Sequence, residues 1–411
     1  MMGVMLKHLY IHNFKSFWKS EFEFGKVNCL IAPNNAGKSN LVEALELLDN
    51  ILKKDLSKAF TLKQNSENYR YEEEEIVIKA TFFSNNIALI ANNLIKYKIE
   101  TDINIKLNLK KFNFDIWVEN SGNIKSILVD DNDIKRDNFT IRKYNEDIDL
   151  NKYEEYIQKL DNKNFIELDK VATKTHLLFE ILIDLNDINN NNFYKSIQNI
   201  FGTKRLISSF YFHPEVIKYR QNYEIDFLLK DGTNLAYFLN SLDKETFEYI
   251  SMSLIGEVEL IESIEISEGA VPHIIFNENV DERVNQIIHQ KVSDGTIHFL
   301  ALMTALYASK SEILVFEEPE RHIHNRVLSY ILNTIKDSDK QIFFTTHSMD
   351  MLQLLDIEDI VFVYRDYKGD TQSKRAEDTY NIEKLMEIYE DDFVDMLKSG
   401  TFDDLNLEEE S

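Results

Sequence analysis

Residues 31–40 read IAPNNAGKSN. The residues before them, EFEFGKVNCLI (21–31), predict two short strands around Gly25. After them, Leu41, Ala44, Leu45, Leu48 and Ile51 recur at helical spacing, so Asn40 to Leu52 predicts a helix. A glycine-bearing loop therefore joins a strand to a helix. A phosphate-binding loop needs backbone N–H groups that converge on the anion at a helix N-terminus, where the dipole also favours negative charge. Gly37 permits close approach of the backbone, Lys38 neutralises β/γ-phosphate charge, and the Ser39 hydroxyl ligates Mg²⁺. The nucleotide contacts are assigned to Asn34, Asn35, Ala36, Gly37, Lys38, Ser39 and Asn40. The usual first glycine of such a loop is Ala32 here. A positive φ at that position would penalise alanine by about 1 kcal/mol, and a negative one would cost little.

Three further motifs follow. Glu317-Glu318-Pro319-Glu320 comes directly after the apolar run EILVF (312–316), which predicts a buried parallel strand. Carboxylates at the C-terminal end of such a strand lie where open α/β sheets bind ligands. Glu317 suits Mg²⁺, directly or through water, and Glu318 suits orientation or activation of an attacking water. Thr345-Thr346-His347-Ser348 follows the strand QIFF, and a histidine there can donate to a γ-phosphate. Lys291-Val292-Ser293-Asp294-Gly295-Thr296 precedes the helix IHFLALMTALYA. Ser293 and Gly295 make a second anion-binding helix end, against the plain reading of an ordinary N-cap. One nucleotide cannot easily use two separated helix ends of one chain. Two copies arranged head to tail would sandwich each nucleotide and use both.

Composition sets the outer limits. The chain has 411 residues, enough for two or three domains or one large domain with an insertion. With 46 basic and 71 acidic residues its formal charge is -25, which argues against wrapping nucleic acid over the whole surface and leaves room for a local DNA-binding patch. Cys29 is the single cysteine, so an intrachain disulfide or a multi-thiolate metal site is excluded. The N-terminus lacks a signal-peptide pattern, and the most apolar stretch, Phe299 to Ala308, is too short to span a bilayer. The expectation is a cytoplasmic protein without a membrane partner.

The other expected elements alternate in type. Strands are predicted at 6–14, 76–83, 95–100, 103–109 and 114–118, the later ones as a meander. Residues 151–202 turn helical and polar and read as an insertion, and 205–211 return as a strand. Strands are expected at 259–267 and 272–276, and helices at Asp281 to Gln290, Ile297 to Ala308, 325–337 and 349–355. Strands at 341–345 and 360–364 complete an α/β fold with a parallel sheet.

The order GKS, SDGT, EEPE, TTHS resembles the ABC-type ATPase heads of the SMC, RecF and OLD group, and not the hexameric AAA+ rings. IHNFKSF (11–17) looks like the opening strand and turn of those heads. LLKDGTNLAYFL (228–239) and EEPERHIHNRVL (317–328) look like the compact bacterial members near OLD and RecF, with His324-Asn325 in place of a His-Pro pair. The resemblance covers roughly 1–110 and 205–375. It implies an ABC-type P-loop NTPase head, a mixed β-sheet with flanking helices and an antiparallel β-lobe, carrying a mainly helical insertion. The implied divisions are 1–120 for the first part of the head, 121–204 for the insertion, 205–380 for the second part, and 381–411 for a C-terminal helix and acidic tail.

By this resemblance Lys38 and Ser39 contact nucleotide and Mg²⁺, Glu317 is the Walker B acid, and Glu318 is the catalytic carboxylate. Ser293 and Gly295 are signature contacts to the opposite γ-phosphate, His347 is the switch histidine, and Gln64 is the metal-facing glutamine of the Q-loop. No heptads are sustained over residues 120–205, so no long coiled coil is expected. The segment after the last expected strand is too short for the fused TOPRIM nuclease of OLD proteins. The implied function is an Mg²⁺-dependent ATPase, dimeric or a higher oligomer built of dimers, that controls a separately encoded effector such as a nuclease in anti-phage defence. The alternatives are a RecF-like or SMC-like ATP-gated DNA clamp for repair or recombination, and an ATP-sensing scaffold that does not hydrolyse. A small-molecule kinase is weaker, because it leaves SDGT and TTHS unexplained.

Overall fold

The computed structural model describes residues 4–32, 36–52, 75–90, 93–108, 113–119, 124–129, 132–134, 205–220, 222–269, 271–280 and 283–378. Most of the expected insertion, the tail, Asn34, Asn35 and Gln64 lie outside the described residues, and the two described pieces of the insertion, 124–129 and 132–134, are strands. The chain divides into two compact units, Met1–Glu21 with Asn50–Lys204, and Phe22–Asp49 with Arg205–Ser411.

The first unit is built on an antiparallel sheet. Its strands are β1 (Val4–His12), β4 (Ile76–Ile90), β5 (Asn93–Asn108), β6 (Asn113–Glu119), β7 (Ile124–Val129) and β8 (Asn132–Ile134). With β2 (Ser20–Glu23) at its edge, the order is β2-β1-β4-β5-β7-β8, and β6 also pairs with β5. Alternation specifies the sheet: Ile76, Ile78, Ala80 and Phe82 of β4 are buried, as are Ile103 and Ile105 of β5. The two strands expected at 95–100 and 103–109 are one continuous strand, β5, because β4 pairs with it without a break from Ile76 to Ile90.

The second unit carries a six-stranded sheet. Its members are β3 (Val27–Ile31), β9 (Ile207–Phe210), β13 (Ile313–Glu317), β14 (Gln341–Thr345), β15 (Ile360–Arg365) and β16 (Thr371–Arg375). The order is β16-β15-β3-β14-β13-β9, all parallel except the β15–β16 pair. β3 and β14 are buried at every position, as expected for central parallel strands. The helices are α1 (Lys38–Leu52), α2 (Pro214–Tyr219), α3 (Leu235–Ser241), α4 (Lys244–Glu257), α5 (Asp294–Ala308), α6 (Leu328–Asp337) and α7 (Met349–Leu352). α5 is buried nearly all round, so its composition is apolar throughout. α6 buries one stripe, Leu328, Ile331, Leu332 and Ile335. Both helices share one core with the sheet, where Phe210 stacks on Phe316.

A second, three-stranded antiparallel sheet runs β10 (Ile261–Ile266), β11 (Ile274–Val280) and β12 (Arg283–Ile288). β12 corrects the helix expected at Asp281 to Gln290. Val284, Ile287 and Ile288 fit helical spacing, but they are β-branched and the segment is short, and it pairs residue by residue with β11. Among the described residues, no helix is long and apolar enough to cross a membrane.

Candidate functional site

Register brings three of the motifs together at the C-terminal ends of adjacent strands of the sheet. Thr345 of β14 is paired with Leu30 of β3 on one side and with Glu317 of β13 on the other. The GKS loop leaves β3 one residue later, and the EEPE and TTHS segments leave β13 and β14 at the same level. The parallel strand order alone produces this convergence.

The loop after β3 is held by its own backbone and by β16. Gly37 has φ 115°, which an L side chain rarely adopts, and opens α1, where Leu41 N donates to Gly37 O. The Thr371 hydroxyl, fully buried, donates to the Ala36 carbonyl at 2.8 Å. Ala32, Ala36 and Val363 form a small apolar cluster beneath the loop. The described non-glycine residues with positive φ are Asn13, Lys15, Lys19, Leu260, Glu318 and His322, and Ala32 is not among them. Alanine in place of the usual glycine therefore carries no left-handed penalty.

Lys38 Nζ donates to the Ala32 carbonyl at 2.8 Å and lies 3.4 Å from His347 Nε2. Burial lowers the Lys38 pKa, while Cys29 and Glu318 act the other way. Burial and the adjacent Lys38 charge lower that of His347 as well. A neutral His347 whose Nε2 is unprotonated can accept from the ammonium.

Glu317 ends β13, and its carboxyl is pushed up by burial. Lys230 opposes that shift from 3.7 Å, and Glu46, Glu318 and Glu43 reinforce it. Glu318 takes the left-handed φ of 49°, and its N–H is held by Thr345 O (3.0 Å) and Thr345 Oγ1 (3.3 Å). Its carboxylate faces Arg321 at 3.7 Å, which donates in turn to Tyr211 Oη at 2.8 Å. A non-glycine residue held in this region is a strained position fixed by its surroundings. Glu320 is largely buried, its pKa raised by that burial, and it accepts from Thr346 Oγ1 at 2.6 Å and from His347 N at 3.4 Å. That bond ties the EEPE segment to TTHS and was not anticipated from the sequence.

Ser293 and Gly295 lie elsewhere in the unit, at the start of α5. Ser293 is the N-cap, its Oγ accepting from Thr296 N at 3.0 Å. Lys218, buried, donates to Val292 O and to Asp294 Oδ1, both at 2.6 Å. A Cβ on Gly295 would stand 2.5 Å from the His322 carbonyl oxygen. Packing against the turn after EEPE thus already requires glycine here, apart from any phosphate contact.

The oxygen donors Ser39 and Glu317 suit a hard cation such as Mg²⁺, and the crowd of carboxylates that raises the Glu317 pKa is one a cation would relieve. Among the described residues no group of three or more His, Cys, Asp or Glu can hold a metal alone, so such a cation would complete its shell with phosphate and water.

A family model described as "AAA domain, putative AbiEii toxin, Type IV TA system" matches residues 27–352. An "ATP/GTP phosphatase" of Helicobacter pylori is 26% identical over 371 residues, spanning 86% of this chain and 88% of its own. The DNA replication and repair protein RecF of Clostridioides difficile is 31% identical over 132 residues, 32% of either chain. Among solved structures, the SMC head domain from Thermotoga maritima covers 90% of this chain and 98% of its own at 12% identity, with a TM-score of 0.41.

Proposed function

The chain belongs to the AAA-domain family of that description, and we propose that it is an ATPase of the RecF-like group that hydrolyses ATP with Mg²⁺ between two head-to-tail copies to control a separate effector. The observation that carries the reading is the meeting of Lys38, His347, Glu317 and Glu318 at the C-terminal ends of adjacent parallel strands. Phosphoryl transfer needs positioning and charge neutralisation more than covalent chemistry from the protein. Lys38, held by Ala32 O and His347 in the free chain, exchanges these weak acceptors for phosphate oxygens. Glu318, fixed by its strained backbone, orients the attacking water and receives its proton. Once the ammonium has left Nε2 for the phosphates, His347 takes the tautomer protonated at Nε2 and donates from it to the γ-phosphate. Ser39 and Glu317 would hold Mg²⁺, which would supply neutralisation of the charge developing on the leaving phosphate. Ala36, Gly37 and Asn40 extend the nucleotide cradle, while Asn34, Asn35 and Gln64 are assigned by the resemblance alone.

Ser293 at the head of α5 completes the site of the opposite copy, with Gly295 beside it. Lys38→Ala and Glu318→Gln test the site: unchanged ATPase activity in the purified variants would discard it. Ser293→Arg tests the sandwich: it should abolish ATP-dependent association, measured by light scattering, while single chains still bind ATP. Retained association would sink the dimer.

The toxin–antitoxin system in the family description favours control of an effector, such as a nuclease, in anti-phage defence. Plaque counts in cells carrying the native locus, with and without Lys38→Ala, test it. Protection that survives the substitution would break the link. The partial match to RecF favours a second reading, an ATP-gated clamp on DNA. Tight, salt-sensitive DNA binding by the isolated chain would support it.

A further inference from the structure

We propose that Lys230 is a resident counter-ion of the Glu317 carboxylate, displaced when a divalent cation binds, and that it thereby sets the cation affinity of the nucleotide site. This rests on the ATPase reading above. The motif LLKDGTNLAYFL has no part in that reading, yet its structure converges on this one side chain. Lys230 Nζ lies 2.5 Å from Glu46 Oε1 and 3.7 Å from Glu317 Oε1. Glu46 also accepts from the Ser209 hydroxyl, so it is a fixed anchor on α1.

The backbone around Lys230 is locked. Tyr211 N donates to Lys230 O at 2.8 Å. Asn234, fully buried, accepts from Leu229 N at 2.9 Å and donates to Glu224 O and Phe227 O, both at 2.8 Å. Asp231 Oδ1 accepts from Thr233 N and Oγ1. Gly232 has φ 74°, and a Cβ there would meet Ile217 at 2.9 Å. DGTN is thus a rigid turn that fixes the backbone of the half-exposed lysine preceding it. An ammonium on a four-carbon stem carries three donors and can swing between the two carboxylates. A divalent cation at Glu317 and the ammonium compete for the same negative charge, so occupancy by one weakens the other.

The test is Mn²⁺ binding to the full chain, read by electron paramagnetic resonance with a non-hydrolysable ATP analogue present. Lys230→Met keeps the apolar stem and removes the charge, and it should bind Mn²⁺ about tenfold more tightly. Lys230→Arg keeps the charge and should stay within about twofold of the natural chain. Equal or weaker Mn²⁺ binding by Lys230→Met overturns the inference. If a fluorescent, non-hydrolysable ATP analogue, titrated in parallel, still binds the natural chain, the ATPase reading survives that failure. If neither analogue nor Mn²⁺ binds the natural chain, both readings fall together.

Discussion

Replacing Gly295 by alanine separates two reasons for a glycine at the head of α5. The added Cβ would stand 2.5 Å from the His322 carbonyl oxygen, where ordinary contact begins at 3.4 Å, so about 0.9 Å of movement is needed. The obstructing atom is backbone, in a turn whose residues His322 (φ 64°) and Glu318 (φ 49°) are already left-handed. No flexible side-chain end is available to yield. Overpacking of this kind costs about 1–3 kcal/mol. Alanine regains up to ~1 kcal/mol of helix propensity, less in a first turn. The net expectation is a loss of ~1–2 kcal/mol, a factor of roughly 5–30 in the folded-to-unfolded ratio. Urea unfolding without nucleotide, followed by far-ultraviolet circular dichroism, reads it directly. If glycine serves only a phosphate across a dimer, stability without nucleotide stays unchanged and ATP-dependent association alone falls. A Gly295→Ala chain as stable as the natural one would refute the packing argument.

Other substitutions probe the rest of the site. Asn234→Ala leaves Leu229 N, Glu224 O and Phe227 O without their partner, and should lower stability by ~3 kcal/mol, seen as a lower urea midpoint. Thr371→Val removes the bond to Ala36 O, and should cost ~1 kcal/mol and weaken nucleotide binding several-fold by fluorescence titration. His298 is buried with both ring nitrogens lacking a hydrogen bond of normal geometry, and burial and then His322 push its pKa down to about 4. The unfolded histidine takes up a proton as pH falls below its ordinary value, and the folded one does not. Its stabilising contribution is therefore complete above about 6.5 and lost down to about 4, amounting to ~2 kcal/mol between pH 7 and pH 5. His298→Leu should reduce the pH-dependent loss of stability by that amount, and an identical loss in both chains would contradict it.

The motifs were legible because parallel-sheet chemistry sits at strand ends. Apolar runs such as EILVF and QIFF mark buried strands by composition alone, so the residue types that follow them locate the site. What register adds is simultaneity: Leu30, Thr345 and Glu317 lie level only because β14 pairs with both neighbours. β16 was not foreseen, since TQSKR has no apolar pattern and owes its strand to pairing with β15. β12 was misread because one period-3.6 match over a few residues does not distinguish helix from edge strand. Lys230 and the Glu320–Thr346 bond left no local signal, because their meaning lies in partners 87 or more and 26 residues away. The angle at Ala32, open from sequence, needed only the backbone.

Cys29 gives the second unit an internal clock. It sits in the middle of β3, flanked on both sides by parallel partners, fully buried, with its thiol pushed well above its ordinary pKa by burial. Thiol reagents attack the thiolate, so the intact sheet hides this atom twice, by access and by ionisation. With no other cysteine in the sequence, every labelling event reports that β3 has been uncovered. When reclosing outpaces labelling, the rate measures the free energy of opening the strand from which the GKS loop departs. Following that rate as ATP and Mg²⁺ are added would time, from inside the sheet, how firmly ligand fastens the loop.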